Sequence, residues 1–376
     1  MVVDGRRDHS FRPPRPDLSA TLQTPNACTD CHRNRPASWA AAAVQRWHRT
    51  DGSEARHYGE IIDAGRRHLP GAGRDLATLA MDRTMPAIVR ATALDLMPEV
   101  PDPAELPAIR AAVGDPNPLV RRAAVTALEI LPMADRVALA APRLDDPILS
   151  VRTEAARVLA DAPAASISAE RRAAFDRAAG EFLAAQRYNA DHPAALARLA
   201  DFHTARGETD LAEHFYREAI RIEPGYMPTY VNLADLYRRL GRDGEGEPVL
   251  LEALRLVPDW EPGHRALGLL YVRQQRMKDA LESLRRASSL AFDVPDASYL
   301  YALALNDSGE AERAVEVIEQ ALKRHPHHRD MILALITIQR DRGARTEAIR
   351  AARRLAELFP GDPQAIDLLR SLEATR

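Results

Sequence analysis

Apolar and polar residues alternate along this chain with a helical rhythm almost throughout, and that rhythm repeats with two different long periods. Between residues 55 and 162, Val89-Arg90, Val120-Arg121 and Val151-Arg152 recur every 31 residues. Each pair is followed by alanines and a leucine: Ala91 to Leu94, Ala123 to Leu128, Ala155 to Leu159. Asp115-Pro116 and Asp146-Pro147 repeat at the same interval. Apolar residues three and four apart predict helices buried on one face. Asp-Pro breaks the chain between helices, and the alanines let neighbouring helices approach closely. The arginine after each valine is expected to cap, or to pair with the aspartate ladder of the next repeat.

From Pro193 the second period begins. Pro224, Pro258, Pro326 and Pro360 fall on a 34-residue grid, with Phe292 at the missing point and Pro295 just after it. Leu199-Ala200, Leu233-Ala234, Leu267-Gly268, Tyr301-Ala302 and Leu335-Ile336 recur in the first helix of each unit. Ala212, Ala280, Ala314 and Ala348 recur in the second, where Gly246 takes the alanine's place once. Pro228 and Pro262 start helices, and Asp362 to about Leu372 supplies a helix that covers the last unit.

A 34-residue helix pair has the tetratricopeptide period, and the 31-residue pair looks like a short HEAT-type repeat. Such pairs cannot bury their apolar faces alone, so they stack. The expected fold is all-α: an α-solenoid of HEAT-like repeats followed by a tetratricopeptide superhelix, with a small irregular N-terminal segment. The expected divisions are 1–52, 53–162 for the HEAT-like repeats, 163–192 for a connecting helix, and 193–376 for five tetratricopeptide repeats and a capping helix. Within 163–192, Ala162 to Ser168 is a junction and Ala169 to about Arg187 one long helix.

The first 25 residues contain Arg12-Pro13-Pro14-Arg15-Pro16-Asp17-Leu18-Ser19, and prolines at this density predict an extended arm without helix. Pro36 opens a helix that runs to about His48. Trp39, Ala43 and Trp47 recur every four residues on one face of it, suited either to packing on the first repeat layer or to covering a cofactor edge. Gly52 and Ser53 mark a linker.

Composition adds little to this and removes several function classes. Aromatic residues make up 5% of the chain and charged residues 28%, with a formal net charge of −3, so no basic excess favours nucleic acid. No apolar run approaches the roughly 18 residues of a membrane helix. Met1 to His9 has acidic residues and no apolar core, unlike a signal peptide.

Chemistry is concentrated in Cys28-Thr29-Asp30-Cys31-His32, which holds both cysteines of the chain. C-x-x-C-H is the pattern of covalent haem c attachment: Cys28 and Cys31 reach the two vinyl groups of one porphyrin, and His32 is the proximal iron ligand. Structural zinc needs four ligands, and no second cysteine pair exists to complete them. A redox C-x-x-C belongs in a βαβ setting, of which there is no sign. His9, on the Pro-rich arm, is the possible distal ligand, with His48 and His57 as competitors. Haem c is attached after export, so a loaded chain is periplasmic or otherwise extracytoplasmic, and the missing signal peptide then implies a fragment or a misassigned start.

The segments Asp8-His9-Ser10-Phe11-Arg12, Pro14 to Ser19, Thr24 to His32 and Pro36 to Ala40 resemble the closing portion of bacterial multihaem cytochrome c proteins, whose haem domain is followed by HEAT-like and then tetratricopeptide repeats. This likeness covers about the first fifty residues. It implies electron transfer by a c-type cytochrome with further C-x-x-C-H segments upstream. With one such motif here, the implication is a C-terminal piece with one haem, and multi-step transfer does not carry over.

By analogy with tetratricopeptide repeats, the groove-facing positions include Asp201, Asp235, Arg238, Arg239, Arg265, Arg273, Tyr299, Asn306, Thr337 and Arg340. The arginines suit carboxylates of a protein or redox partner, and the alternative is a solvated face of mixed charge. His325-Pro326-His327-His328 lies on a turn without an acidic cage and reads as solvated histidines rather than a metal site. No G-x-S-x-G, P-loop or H-E-x-x-H motif is present, so the chain is not expected to be an enzyme. Two functions follow: a haem c electron carrier with a repeat scaffold, or a haem-free adaptor that binds a partner peptide.

Overall fold

The computed structural model describes residues 15–48, 56–100, 102–291 and 294–374. Among these, all regular structure is helical. The chain divides into two compact units, Met1–Ala112 and Val113–Arg376, and the division falls inside the expected 53–162 segment.

The first unit contains α1 (Pro16–Leu22), α2 (Ala27–Cys31), α3 (Ala37–His48), α4 (Tyr58–Arg66), α5 (Ala72–Met81), α6 (Ala87–Leu96) and α7 (Glu105–Ala112). The Pro-rich arm is not wholly extended. Pro16 opens α1 at the first helical position, where its missing N–H costs nothing. Helix α3 packs on α1 and α2 and buries Ala40 and Ala43. The three-residue stripe is not one buried face, because Trp47 is 74% exposed. Each step of four residues overshoots a 3.6-residue turn, so Trp47 has rotated well away from Trp39. In α6 the Val89 side chain is buried, and Arg90 turns back to donate to the Ala80 carbonyl at 2.8 Å.

The second unit begins with α8 (Pro118–Ala127), α9 (Met133–Ala140), α10 (Leu149–Val158) and the long α11 (Ala169–Tyr188). Val120 and Val151 are fully buried between these helices. The arginine after Val120 finds the aspartate its spacing suggests, and the one after Val151 a glutamate. Arg121 forks onto Asp146 of the next repeat, Nε to Oδ2 at 2.8 Å and Nη2 to Oδ1 at 2.9 Å. Its remaining nitrogen donates to the Asp115 and Pro116 carbonyls. Arg152 repeats the pattern one period later, donating to the Asp146 and Pro147 carbonyls and pairing with Glu181 of α11.

Five helix pairs follow: α12 (Pro193–Ala205) with α13 (Thr209–Ile222), α14 (Pro228–Arg239) with α15 (Asp243–Leu256), α16 (Glu261–Arg273) with α17 (Met277–Leu290), α18 (Pro295–Asp307) with α19 (Ala311–Arg324), and α20 (Arg329–Asp341) with α21 (Arg345–Leu358). Helix α22 (Pro363–Ala374) packs on α21. Arg329 bridges to Asp362, and Arg345 donates to the Leu372 carbonyl, so this last helix is tied down at both ends.

The grid residues are the core. Leu199, Leu233 and Leu267, and Ala212, Ala280, Ala314 and Ala348, are all buried where each pair meets itself and the next. The left-handed residue that closes each pair also lies on the grid: Gly207, Gly241, Gly309 and Gly343, with Gln275 in the third pair.

Candidate functional sites

Two places in the chain carry chemistry. The first is the turn that presents Cys28, Cys31 and His32. Asn26 caps α2 by accepting the Thr29 N–H at 3.1 Å, and the His32 N–H closes the turn on the Cys28 carbonyl at 2.9 Å. Both thiols are free, Cys28 half-buried and Cys31 exposed. The His32 ring lies 4.9 Å from that of Trp39, and the Arg35 guanidinium stands 5.8 Å from the same indole. One helical turn thus offers two accessible thiols and an adjoining imidazole backed by an aromatic ring, a donor set that fits haem c attachment. Among the described residues, no three His, Cys, Asp or Glu side chains are placed to hold a bare metal ion.

Of the histidines named as distal ligands, His9 lies outside the described residues. His48 ends α3. His57 caps α4, with Nδ1 accepting the Gly59 N–H at 3.1 Å while Glu60 reaches back to the His57 N–H, so one ring nitrogen is committed to the fold.

The second place is the face that the first helices of the five pairs turn away from their partners. On α12, Asp201 accepts a hydrogen bond from Tyr216 Oη at 2.5 Å and one from Asn232 Nδ2 at 3.3 Å. Surrounding protein pushes the Asp201 carboxyl above its usual range, although these bonds and nearby Arg157 pull the other way.

On α14, Arg238 and Arg239 both bond to Asp235, each through Nε, at 2.6 and 2.8 Å. Burial raises the Asp235 carboxyl, but the two guanidinium groups outweigh it and hold the group below its ordinary value. On α16, Arg265 pairs with Glu261 at 2.8 Å and Arg273 with Asp243 at 2.7 Å. On α18, the Tyr299 ring is 6.2 Å from that of His328, and Asn306 is half-buried. On α20, Thr337 is exposed and Arg340 pairs with Asp341 at 2.9 Å. The groove arginines are therefore not bare cations: each is already engaged by a carboxylate of its own or the preceding helix.

Two features were overlooked in the sequence. Half-buried apolar side chains, Leu269, Val272, Leu300 and Leu303, lie on the same helices as the charged residues, the last three packed against the edge of the core. A clasp also joins successive pairs. Tyr237 donates to Glu213 at 2.8 Å and Arg242 bonds the same carboxylate at 3.2 Å; Tyr271, Glu247 and Arg276 repeat this 34 residues later. That spacing was the signal for it.

The histidine turn departs from expectation. His325 Nε2 and His327 Nδ1 are shielded from solvent and make no hydrogen bond within the described protein. His328 Nδ1 accepts the Met331 N–H at 3.2 Å. Arg354 donates to the Pro326 carbonyl of the same turn at 2.8 Å, and the three histidines are half-buried.

Comparison with known proteins bears directly on the repeats. Residues 75–160 match the HEAT repeat family, and residues 164–226, 228–259, 264–298 and 295–338 match tetratricopeptide repeat families. Residues 75–338 are thus built of HEAT and tetratricopeptide repeats, and the family matches begin beyond the Cys28 to His32 turn.

No curated protein matches the chain. Similar solved structures include YrrB, described as a TPR protein with an unusual peptide-binding site, 19% identical over 50% of this chain and 97% of that one, TM-score 0.39. Pseudomonas aeruginosa pilF is 19% identical over 60% of this chain and 99% of that one, TM-score 0.41. MamA of Desulfovibrio magneticus is 18% identical over 48% of this chain and 96% of that one, TM-score 0.38. Among the described residues of the repeat chain, no helix is long and apolar enough to cross a membrane.

Proposed function

We propose that the chain is a protein-interaction scaffold whose tetratricopeptide section takes up a partner polypeptide along the face formed by α12, α14, α16, α18 and α20. The observation that carries this reading is the combination on those helices of half-buried apolar side chains, such as Leu300 and Leu303, with ordered arginines and aspartates. Apolar anchors supply affinity and the charged rim supplies orientation. A photocrosslinker placed at Thr337 or Leu303 should give discrete protein adducts in cells of the source organism. The same group at Glu282 or Glu319 on the second helices should give few. Equal yields from both helix layers would remove the face from the proposal.

A second reading is supported by the geometry of the α2 turn. Cys28 and Cys31 would carry one haem c as thioethers and His32 would be its proximal ligand, with His9 the proposed distal ligand. A haem so held supplies one-electron transfer to a redox partner. Trp39 would back the His32 ring and limit its rotation. Such loading requires export, so this reading also proposes an extracytoplasmic chain comparable to the tail of a multihaem cytochrome. Expressed with a c-type maturation system, the chain is expected to give a haem-stained band on a denaturing gel. A colourless band with both cysteines open to alkylation would sink this reading and leave the scaffold alone.

A further inference from the structure

The tetratricopeptide face is charged in two blocks. On its second and third repeats, Arg238, Arg239, Arg265 and Arg273 stand against Asp235, Glu261 and Asp243, an excess of one positive charge. On its fourth and fifth repeats, Asp296, Asp307, Asp330 and Asp341 stand against Arg329 and Arg340. The internal pairing leaves each block with its own sign. Arg238 and Arg239 divide the single carboxylate of Asp235 between them. Asp307 makes no ion pair among the described residues; Arg329 is shared between Asp330 at 3.5 Å and Asp362 at 2.8 Å, and His328 lies 3.5 Å from Asp296. Leu269, Val272, Leu300 and Leu303 lie on the helices between the two ends.

We infer that the occupant of this face is a polypeptide segment whose charges are segregated, with an acidic block over the second and third repeats, a short apolar stretch over α16 and α18, and a basic block over the fourth and fifth repeats. The inference rests on the proposed role of this face in binding a partner. Each exposed pair contributes little against solvent and salt, so no single contact selects the partner. Segregation does: sliding the segment, or turning it end for end, brings like charges together across the face. A uniformly charged segment gains at one block and loses at the other.

The test uses fluorescence anisotropy on the full chain with synthetic peptides of one length. One has a glutamate block, central leucines and a lysine block; a second has the same composition with glutamate and lysine alternating; two more are all-glutamate and all-lysine around the leucines. The segregated peptide is expected to bind about tenfold more tightly than the alternating one, a difference of about 1.4 kcal/mol. High salt should erase that advantage, as should Arg238→Glu/Arg239→Glu, with circular dichroism confirming that the variant is folded. If the segregated and alternating peptides bind equally and Leu300→Asp/Leu303→Asp abolishes both, the charge inference fails while the binding face stands. If binding ignores Leu300→Asp/Leu303→Asp, if no peptide binds, or if the chain instead associates with itself through this face, both fail.

Discussion

Asp146→Ala is expected to destabilise the HEAT section by about 3–5 kcal/mol, the cost of breaking a buried ion pair by removing one partner. Only 2% of the Asp146 side chain and 11% of the Arg121 side chain are exposed, and the two meet through a pair of parallel hydrogen bonds. Without the carboxylate, Arg121 keeps two backbone carbonyls as partners but retains an uncompensated charge among the packed helices. The Ile148 N–H at the start of α10 loses its acceptor as well. Hydrogen exchange on α8 and α10, together with a urea titration, measures the loss. A change below about 1 kcal/mol would place the pair among ordinary surface contacts. Replacing both partners together, as Arg121→Met/Asp146→Leu, should recover most of the stability, because the cost lies in the orphaned charge.

The same pair sets an acid limit. Burial tends to raise the Asp146 carboxyl, but the bond from Arg121, the Ile148 N–H and the charges of Arg121 and Arg143 outweigh it and hold the group below its ordinary value. A folded-state value below the unfolded one means that the stabilisation is complete above the unfolded value, about 3.9. It is lost as pH falls through the lower folded value. The stability difference between the native chain and Asp146→Ala should therefore be constant near neutrality and shrink below about pH 4.

Gly268→Ala is the second large effect, expected to cost about 1–3 kcal/mol by overpacking. A Cβ there would stand 2.6 Å from Leu284 Cγ and 3.2 Å from the Leu284 backbone nitrogen. Leu284 is fully buried, so α16 and α17 must separate to admit the methyl group. Gly246→Ala provides the opposite case on the same 34-residue grid. Its Cβ would meet nothing closer than Leu270 Cδ1 at 3.4 Å, and alanine favours helix by up to about 1 kcal/mol over glycine. Denaturation midpoints should thus move down for Gly268→Ala and up for Gly246→Ala. Shifts in the same direction would show that helix propensity, and not the approach of α17, governs both sites.

The two glycines show where sequence reading reaches its limit. Gly246 was legible as a tolerated substitute for the small alanine of the grid. Gly268 looked equally plain, and only the position of Leu284 makes it indispensable. The Pro-rich arm carried a similar trap, since proline density argues against helix while the position of Pro16 allows α1 to begin on it. The stripe of Trp39, Ala43 and Trp47 failed because a period of four is not the period of the helix.

The candidate sites divide in the same way. Cys28, Cys31 and His32 stand out in the sequence because haem c attachment would fix both residue type and spacing; in the fold the two cysteines lie on α2 and His32 follows it directly. The groove residues were named by repeat position, which says which way a side chain faces but not which carboxylate already holds it. Asp235 lies within one helical turn of Arg238 and Arg239, yet the pairing of Arg273 with Asp243 crosses from one repeat to the next.

By itself, then, the amino-acid order determined the helical class, the two repeat lengths, the link from Arg121 to the next repeat's aspartate, and the one cofactor motif. These are local or periodic properties, and a period needs only the chain to be seen. Tertiary structure alone decided the shielding of ring nitrogens in His325 and His327, the close approach at Gly268, the exposure of Trp47, and the pairing of Arg273 with Asp243. Each depends on which neighbour a side chain meets, and packing sets that at distances no spacing records.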